Sequence, residues 1–327
     1  MRSGRAILAA LVALALAPGT WVRSEIPPKN DIAPIAVNAL SVAQQAVGPF
    51  RIEGVWELVS DNDYFGGYSA LTFLNEEMLL AGSDTGYRLA FRAPVPGEDS
   101  TIPAEAIGTL GGSTMLDKRD VDLEALTRDP RTGTIWSAFE RSNSIQRYDA
   151  QMRPTGRVAP SAMAGWEANS GPETMARLPD GRFLVIREGA NGWLSNTHDA
   201  LLFGGDPVEG VEPVRFTFAS PYGYRPVDAA MLDERRVLIL LRNFDPALPP
   251  DFTSAIAVGD VSEIAEGSEW NVRLIAKIDP PLPSDNLEGI AVSANASGSR
   301  DVWLISDDNF SSFQRTLLYK LSLPADF

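Results

Sequence analysis

Cysteine is absent from all 327 residues, and histidine occurs once, as His198. The first absence removes thiol nucleophiles, disulfide staples and thiolate-held zinc together. The second argues against a multi-histidine metal site and against Ser-His-Asp chemistry, with His198 itself read as a loop histidine in 196–199. A chain of this length buries ample core without cross-links. Basic residues are also scarce, 28 Lys and Arg against 43 Asp and Glu, for a net charge of −15. Phosphate backbones need a basic face, so nucleic acid is set aside as a partner. No Gly-rich phosphate loop follows a strand and opens a helix. Any chemistry must therefore use carboxylates, arginines, hydroxyls, or a hard metal ion held by oxygen.

Arg2 and Arg5 precede the apolar run 6–17, the pattern of a secretory leader and too short to span a bilayer in the usual way. Ala15-Leu16-Ala17 offers a cleavage site and Ala17-Pro18-Gly19 an alternative, while an uncleaved anchor stays open. A periplasmic or secreted protein is expected, with no stable membrane span once the leader is removed. Residues 1–24 are read as leader and start of an arm, 25–49 as an N-terminal arm, and 50–327 as one domain.

What the chain has in quantity is a β-pattern that recurs. An acid, a small residue and an apolar one appear in Leu123-Glu124-Ala125-Leu126, Pro172-Glu173-Thr174-Met175, Val227-Asp228-Ala229-Ala230 and Leu287-Glu288-Gly289-Ile290, with Tyr68-Ser69-Ala70-Leu71 as a weaker copy. Each copy leads into an apolar strand that ends on a polar residue: Asp84, Glu140, Glu188, Arg242 and Asp307. Two coincident columns over five units mark a repeat protein. Strand, turn, strand and strand follow in each unit, as in 123–127, 134–139 and 144–148 around the turn Asp129-Pro130-Arg131-Thr132-Gly133.

Four strands per unit and a last unit one strand short predict an all-β fold, a β-propeller closed by the N-terminal strand 50–60. Five blades are counted, and six stay open because the arm could hide a degenerate copy. Ala70, Ala125, Thr174, Ala229 and Gly289 are small, as a narrow axis demands. First-to-second strand links are short turns, whereas 159–171, 189–199, 243–253, 279–286 and 307–314 are long. Both polar columns lie on the long-loop face, where function on a rigid scaffold collects.

Glu124, Glu173, Asp228 and Glu288 are thus expected to ring the mouth of the channel, with Glu140, Glu188 and Asp307 one step outward. Oxygen ligands from separate strands suit calcium. The alternative is a set of latches, with these acids capping turns and pairing with Arg141, Arg187, Arg225 and Arg242. Trp136, Trp303 and Phe183 are read as core between blades, and Trp166 and Trp193 as loop residues able to meet a ligand. Asn243 and Asn309, each before a Phe, are read either as ligand contacts or as supports of left-handed turns, the turn being the favoured reading.

The strings Asp122-Leu123-Glu124-Ala125-Leu126, Gly171-Pro172-Glu173 with Leu178-Pro179-Asp180-Gly181-Arg182, and Asn286-Leu287-Glu288-Gly289-Ile290 with Asp307-Asp308-Asn309 resemble the phytase-like, esterase-like family of bacterial secreted proteins. Phe65-Gly66-Gly67-Tyr68-Ser69 with Gly82-Ser83-Asp84 is similar to that family's opening pattern. The resemblance covers about 52–321. It implies a propeller with an acidic site and hydrolysis of an ester or phosphoester. On that basis calcium would sit on Glu124, Glu173, Asp228 and Glu288. Glu140, Glu188 or Asp307 would act as general base, and Arg141, Arg242 and Asn243 would hold a small anionic substrate. Here Ser69, Asp228-Ala229 and Arg242 depart from the family's acidic pattern. A non-catalytic periplasmic binding or scaffold propeller, and a regucalcin-type lactone hydrolase, are the alternatives. A monomer is expected.

Overall fold

The middle strands are apolar throughout rather than alternating: Val237-Leu238-Ile239-Leu240-Leu241 are all 0 % exposed. Such runs form where both faces of a sheet are covered. A computed structural model describes residues 28–112, 121–192, 194–245, 251–295 and 298–327. The leader expected over 1–17, and Trp193, lie outside the described residues.

The chain folds into five antiparallel sheets met in sequence order. The first comprises Tyr68–Phe73, Met78–Ser83, Tyr87–Arg92 and Ile107–Thr109. The second comprises Leu123–Arg128, Ile135–Phe139, Ser144–Tyr148 and Pro154–Val158. The third runs Thr174–Arg177, Phe183–Ala190, Thr197–Phe203 and Pro213–Ala219, with Glu269–Asn271 added in parallel at its edge. The fourth runs Arg225–Met231, Arg236–Asp245, Asp251–Asp260 and Arg273–Ile278. The fifth begins Leu287–Ala294, Arg300–Ser306 and Thr316–Leu323, and Phe50–Val59 then pairs antiparallel with Thr316–Leu323.

Apolar clusters lie between successive sheets, and one lies between the fifth and the first. In that last cluster Trp56 stacks on Trp303 at 5.8 Å, tying the N-terminal strand to the final sheet. The first strand of each sheet faces a shared axis. The architecture is an all-β propeller, in which every sheet buries both faces against its neighbours.

Small residues line the axis for the reason given above. Ala70, Ala125 and Thr174 are fully buried, and a Cβ on Gly289 would press into the backbone of Ala70 and Leu71 at under 3 Å. The inner strands approach one another backbone to backbone.

Three sequence expectations are corrected. The segment read as an arm contributes a strand, Ile35–Ala39, which pairs with Phe50–Val59 and with Ser100–Ile102. His198 lies in the strand Thr197–Phe203, not in a loop, and is 1 % exposed. Trp166 is core, 7 % exposed among Met163, Trp136 and Met175, where its loop folds back under the second and third sheets.

Candidate active site

Four of the five sheets share one backbone hydrogen bond at the end of the axis where the inner strands begin. Asp84, Glu140, Glu188 and Asp307 donate their N–H to the carbonyls of Gly67, Asp122, Gly171 and Asn286, at 2.9, 2.9, 3.0 and 2.9 Å. That bond pins the outer acid beside the residue two places before the inner column, at Ser69, Glu124, Glu173 and Glu288. Gly171 has no room for a side chain, since a Cβ would stand 2.9 Å from Glu140 Cγ.

The inner column is made by β-bulges. Pairing skips Ser69 between Tyr68 and Ala70, Glu124 between Leu123 and Ala125, and Glu288 between Leu287 and Gly289. A bulged residue is unpaired and its side chain is re-aimed, here toward the mouth. Glu173 achieves the same by standing just before its strand.

In the fourth sheet the skipped residue is Val227, so Asp228 moves one place down and faces the axis. This corrects its placement with the other acids. Asp228 is 0 % exposed; Oδ1 accepts the N–H of Ala229 and Oδ2 that of Ile290, both at 2.8 Å. A further N–H comes from Leu71. Those donors lie on the open edges of inner strands, where no neighbouring strand can take them. Burial nevertheless pushes the Asp228 carboxyl well above its usual range, against the pull of the three N–H groups.

Arg242 divides the remaining acids. Its Nη2 donates to Glu188 Oε1 at 2.8 Å, and its Nη1 donates to Glu288 and, at 3.0 Å, to Asn286 Oδ1. Asn286 Nδ2 completes the set on Glu288 Oε1 at 3.1 Å. Burial opposes the charge on Arg242, but Glu288, Glu173 and Glu188 outweigh it and hold the guanidinium above its usual range. Arg225 lies directly across the strand pair from Arg242, and Glu188 Oε2 accepts from it at 3.2 Å. One carboxylate thus separates two guanidiniums that would otherwise repel.

The other half of the mouth has little positive charge. Carboxylate oxygens of Asp122, Glu124 and Glu140 lie within 4.8 Å of one another. The hydrogen bond from Arg141 Nε to Asp122 Oδ2, 2.7 Å, is the cationic contact to this trio among the described residues. Burial raises Glu124 well above its usual range, and Glu288, Glu140, Asp122 and Asp84 add to it. Burial likewise carries Glu140 to about 7, with the Gly171 N–H and Arg141 opposing and Asp122 and Glu188 assisting. Glu173 is raised by burial, then by Glu188 and Glu124. Asp307 is raised by burial and by Glu288. An all-oxygen anionic trio, in which the Glu124 and Glu140 carboxyls are raised first by burial and then by neighbouring carboxylates, suits a hard divalent cation.

Of the residues expected from sequence, Glu124, Glu140, Glu173, Glu188, Glu288 and Asp307 converge here with Arg141 and Arg242. Asn243 stands beside Arg242 on the wall of an adjoining cleft of about 1000 Å³. It lies in extended strand, not in a left-handed turn, whereas Asn309 and Phe310 do adopt φ +48° and +50°. Sequence reasoning missed Asp122 and Asn286 as site residues. The signal was there, since both stand two places before an acid of the inner column.

A family model described as "Phytase-like: Esterase-like activity of phytase" matches residues 63–310. The chain belongs to this family. The match spans the first strand of the first sheet through the Asp307–Phe310 loop, and so includes every acid of the mouth. Among curated proteins none matches significantly. Similar solved structures include Kuenenia stuttgartiensis hydrazine synthase, with TM-score 0.39 and 14 % identity over 75 % of this chain and 58 % of that one. The WD40 β-propeller domain of Doa1 has TM-score 0.41 and 10 % identity over 85 % of this chain and 98 % of that one. The Neurospora crassa Pan2 WD40 domain has TM-score 0.36 and 11 % identity over 79 % and 90 %. Among the described residues no helix of this phytase-like protein is long and apolar enough to cross a membrane.

Proposed function

We propose that this phytase-like chain is an exported, monomeric hydrolase of a small anionic ester or phosphoester. Its five sheets count as five blades, closed by Phe50–Val59. The observation that carries the reading is the trio Asp122, Glu124 and Glu140, three carboxylates within 4.8 Å at the mouth of the axis.

Asp122, Glu124 and Glu140 would hold a divalent cation, calcium foremost. When bound, it would supply charge neutralisation and Lewis-acid polarisation of the scissile ester. Arg141 positions Asp122. Glu173 keeps part of its surface open to the mouth and lies among Glu124, Glu188 and Glu288. Its raised proton affinity suits it to give and take a proton at the leaving and entering oxygens. Arg242 donates to Glu188, Glu288 and Asn286, so the substrate's anionic group falls to Arg225 and Asn243 on the cleft side. Asp228 is left out of the ligand set because backbone N–H groups hold its oxygens.

Calorimetric titration with calcium, followed by assays on bis-p-nitrophenyl phosphate, phytate and a lactone panel, tests this reading. Wild type should bind calcium and turn over an ester. Glu124→Gln should lose both, whereas Glu173→Gln should keep the metal and lose kcat. No heat with calcium and no turnover of any substrate would sink it. Lactone turnover alone would favour the lactone hydrolase.

A second reading, a non-catalytic binding propeller, is favoured by one observation. Arg242 and the inner-strand N–H groups tie Glu188, Glu288 and Asp228 into the fold. If Glu124→Gln loses stability in the absence of metal and no variant has activity to lose, this reading replaces the first.

A further inference from the structure

The cleft that adjoins the mouth is walled by side chains that no hydrolytic role explains. Tyr222 is 81 % exposed, Leu194 79 % and Phe244 51 %, and all three line it. Large apolar groups held in water around a concavity mark a binding surface rather than a packing fault.

Backbone hydrogen bonds place two of the three. The fourth sheet's central hairpin continues past Arg242, with Asn243 opposite Thr253 and Phe244 opposite Phe252. Phe244 packs on Phe252 with ring centroids 5.0 Å apart. From sequence that strand ends on Arg242 and 243–253 is a long loop, because pairing beyond Arg242 leaves the core and runs up the cleft wall. Tyr222 sits at the tip of a turn closed by the bond from Tyr224 N–H to Pro221 O at 3.0 Å, with Gly223 at φ +85° supplying the reversal.

The lining also carries Arg187, Arg225 and Arg242 against Glu167 and Glu188. Arg187 is mostly buried, and its Nε donates to Ser170 O at 3.0 Å. The nearest carboxylates, on Glu167 and Asp199, stand 3.7 and 4.0 Å away on exposed side chains. Arg225, half-exposed, shares Glu188 with Arg242. A planar apolar group between the aromatic walls would carry an attached anion down to Arg187 and Arg225, next to the carboxylate mouth.

We infer that this cleft is the specificity site of the hydrolase, and that it selects an aromatic or similarly broad apolar ester bearing an anionic group. The inference rests on the hydrolytic reading above and narrows it. An inositol polyphosphate has no face to cover Tyr222, Phe244 and Leu194, and it is not the substrate the cleft fits.

The test separates binding from turnover by using phosphonates, whose P–C bond is not hydrolysed. Calorimetry with 1-naphthylphosphonate and with methylphosphonate, with calcium present, should show the naphthyl compound binding at least tenfold tighter. Tyr222→Ala with Phe244→Ala should erase that difference. Because both side chains are exposed, the melting temperature should hold, which guards against an unfolded variant. In parallel, 1-naphthyl phosphate should exceed phytate in kcat/KM by tenfold or more, with the gap closing through KM in the double variant. Equal binding of the two phosphonates, or an unaffected double variant, overturns the cleft assignment even if phytate is hydrolysed. Preferential naphthyl binding without hydrolysis of any ester leaves the cleft as an aryl-anion site and overturns its role in hydrolysis.

Discussion

Arg242 and Glu188 share a 2.8 Å hydrogen bond in a part of the mouth where Arg242 is the only guanidinium that also reaches Glu288 among the described residues. Buried charge pairs are costly to break because the surviving partner is stranded. Arg242→Met removes the cation and leaves Glu188, Glu288 and Glu173 facing one another. Urea denaturation without metal should show a loss of about 3–5 kcal/mol. Added calcium should restore part of it, since the freed carboxylates then offer a further oxygen site. An unchanged unfolding midpoint would mean that the pair adds nothing to stability.

Asp228 holds the axis together. Asparagine in its place keeps one acceptor oxygen but turns an amide NH2 toward the N–H of Ile290 or Ala229. Asp228→Asn should cost about 2–3 kcal/mol, the magnitude of leaving buried donors unsatisfied, while calcium affinity stays within twofold of wild type. Lost calcium binding with intact stability would return Asp228 to the ligand set.

The acidic trio predicts a metal-dependent melting temperature. Calcium at 100 times its dissociation constant should stabilise the fold by about 2.7 kcal/mol. Scanning calorimetry should find that increment in wild type and find it missing in Asp122→Asn and Glu124→Gln. Affinity should weaken from pH 7.5 to pH 5.5, because the ligating carboxylates must give up protons first. An equal increment in both variants would place the metal elsewhere.

His198 gives a pH signature that the carboxylates do not. Burial holds its folded pKa down at about 4, against the model-peptide value of 6.5. Between those values the unfolded chain binds the extra proton. Its contribution to stability is therefore fully present above 6.5 and falls as the pH falls toward 4, by at most about 1.4 kcal/mol per unit. Glu140, raised to about 7, has the opposite sign, because its folded state binds the extra proton. Comparing wild type with His198→Gln at fixed pH values cancels the carboxylate contribution. The difference in unfolding free energy should change between pH 6.5 and 4.5 and stay flat from 7 to 8. A flat difference throughout would show that His198 is not held neutral.

Local sequence was enough for the repeat, because it rests on strand-length apolar runs, turn residues and small residues at a crowded axis. Each is a short-range constraint that leaves its mark within a few positions. The convergence of Glu124, Glu173 and Glu288 followed from that repeat, as did the core roles of Trp136, Trp303 and Phe183, which are 5, 2 and 1 % exposed. What local pattern could not hold was register. A single-residue bulge decides whether Glu124 points to the mouth or Asp228 points into the axis, and a bulge changes no residue type.

Partner choice also escaped the sequence. Arg242 reaches Glu188 and Glu288 from 54 and 46 positions away, and Asp122 becomes a third donor only because Glu140 folds back beside it. Composition and periodicity thus set which chemistry was available: carboxylates, arginines and a ring of strands. Which carboxylates are neutralised by arginine and which are left to meet a cation was decided only when distant strands closed around one axis. Electrostatic energy depends on separation in space, and separation along the chain does not encode it.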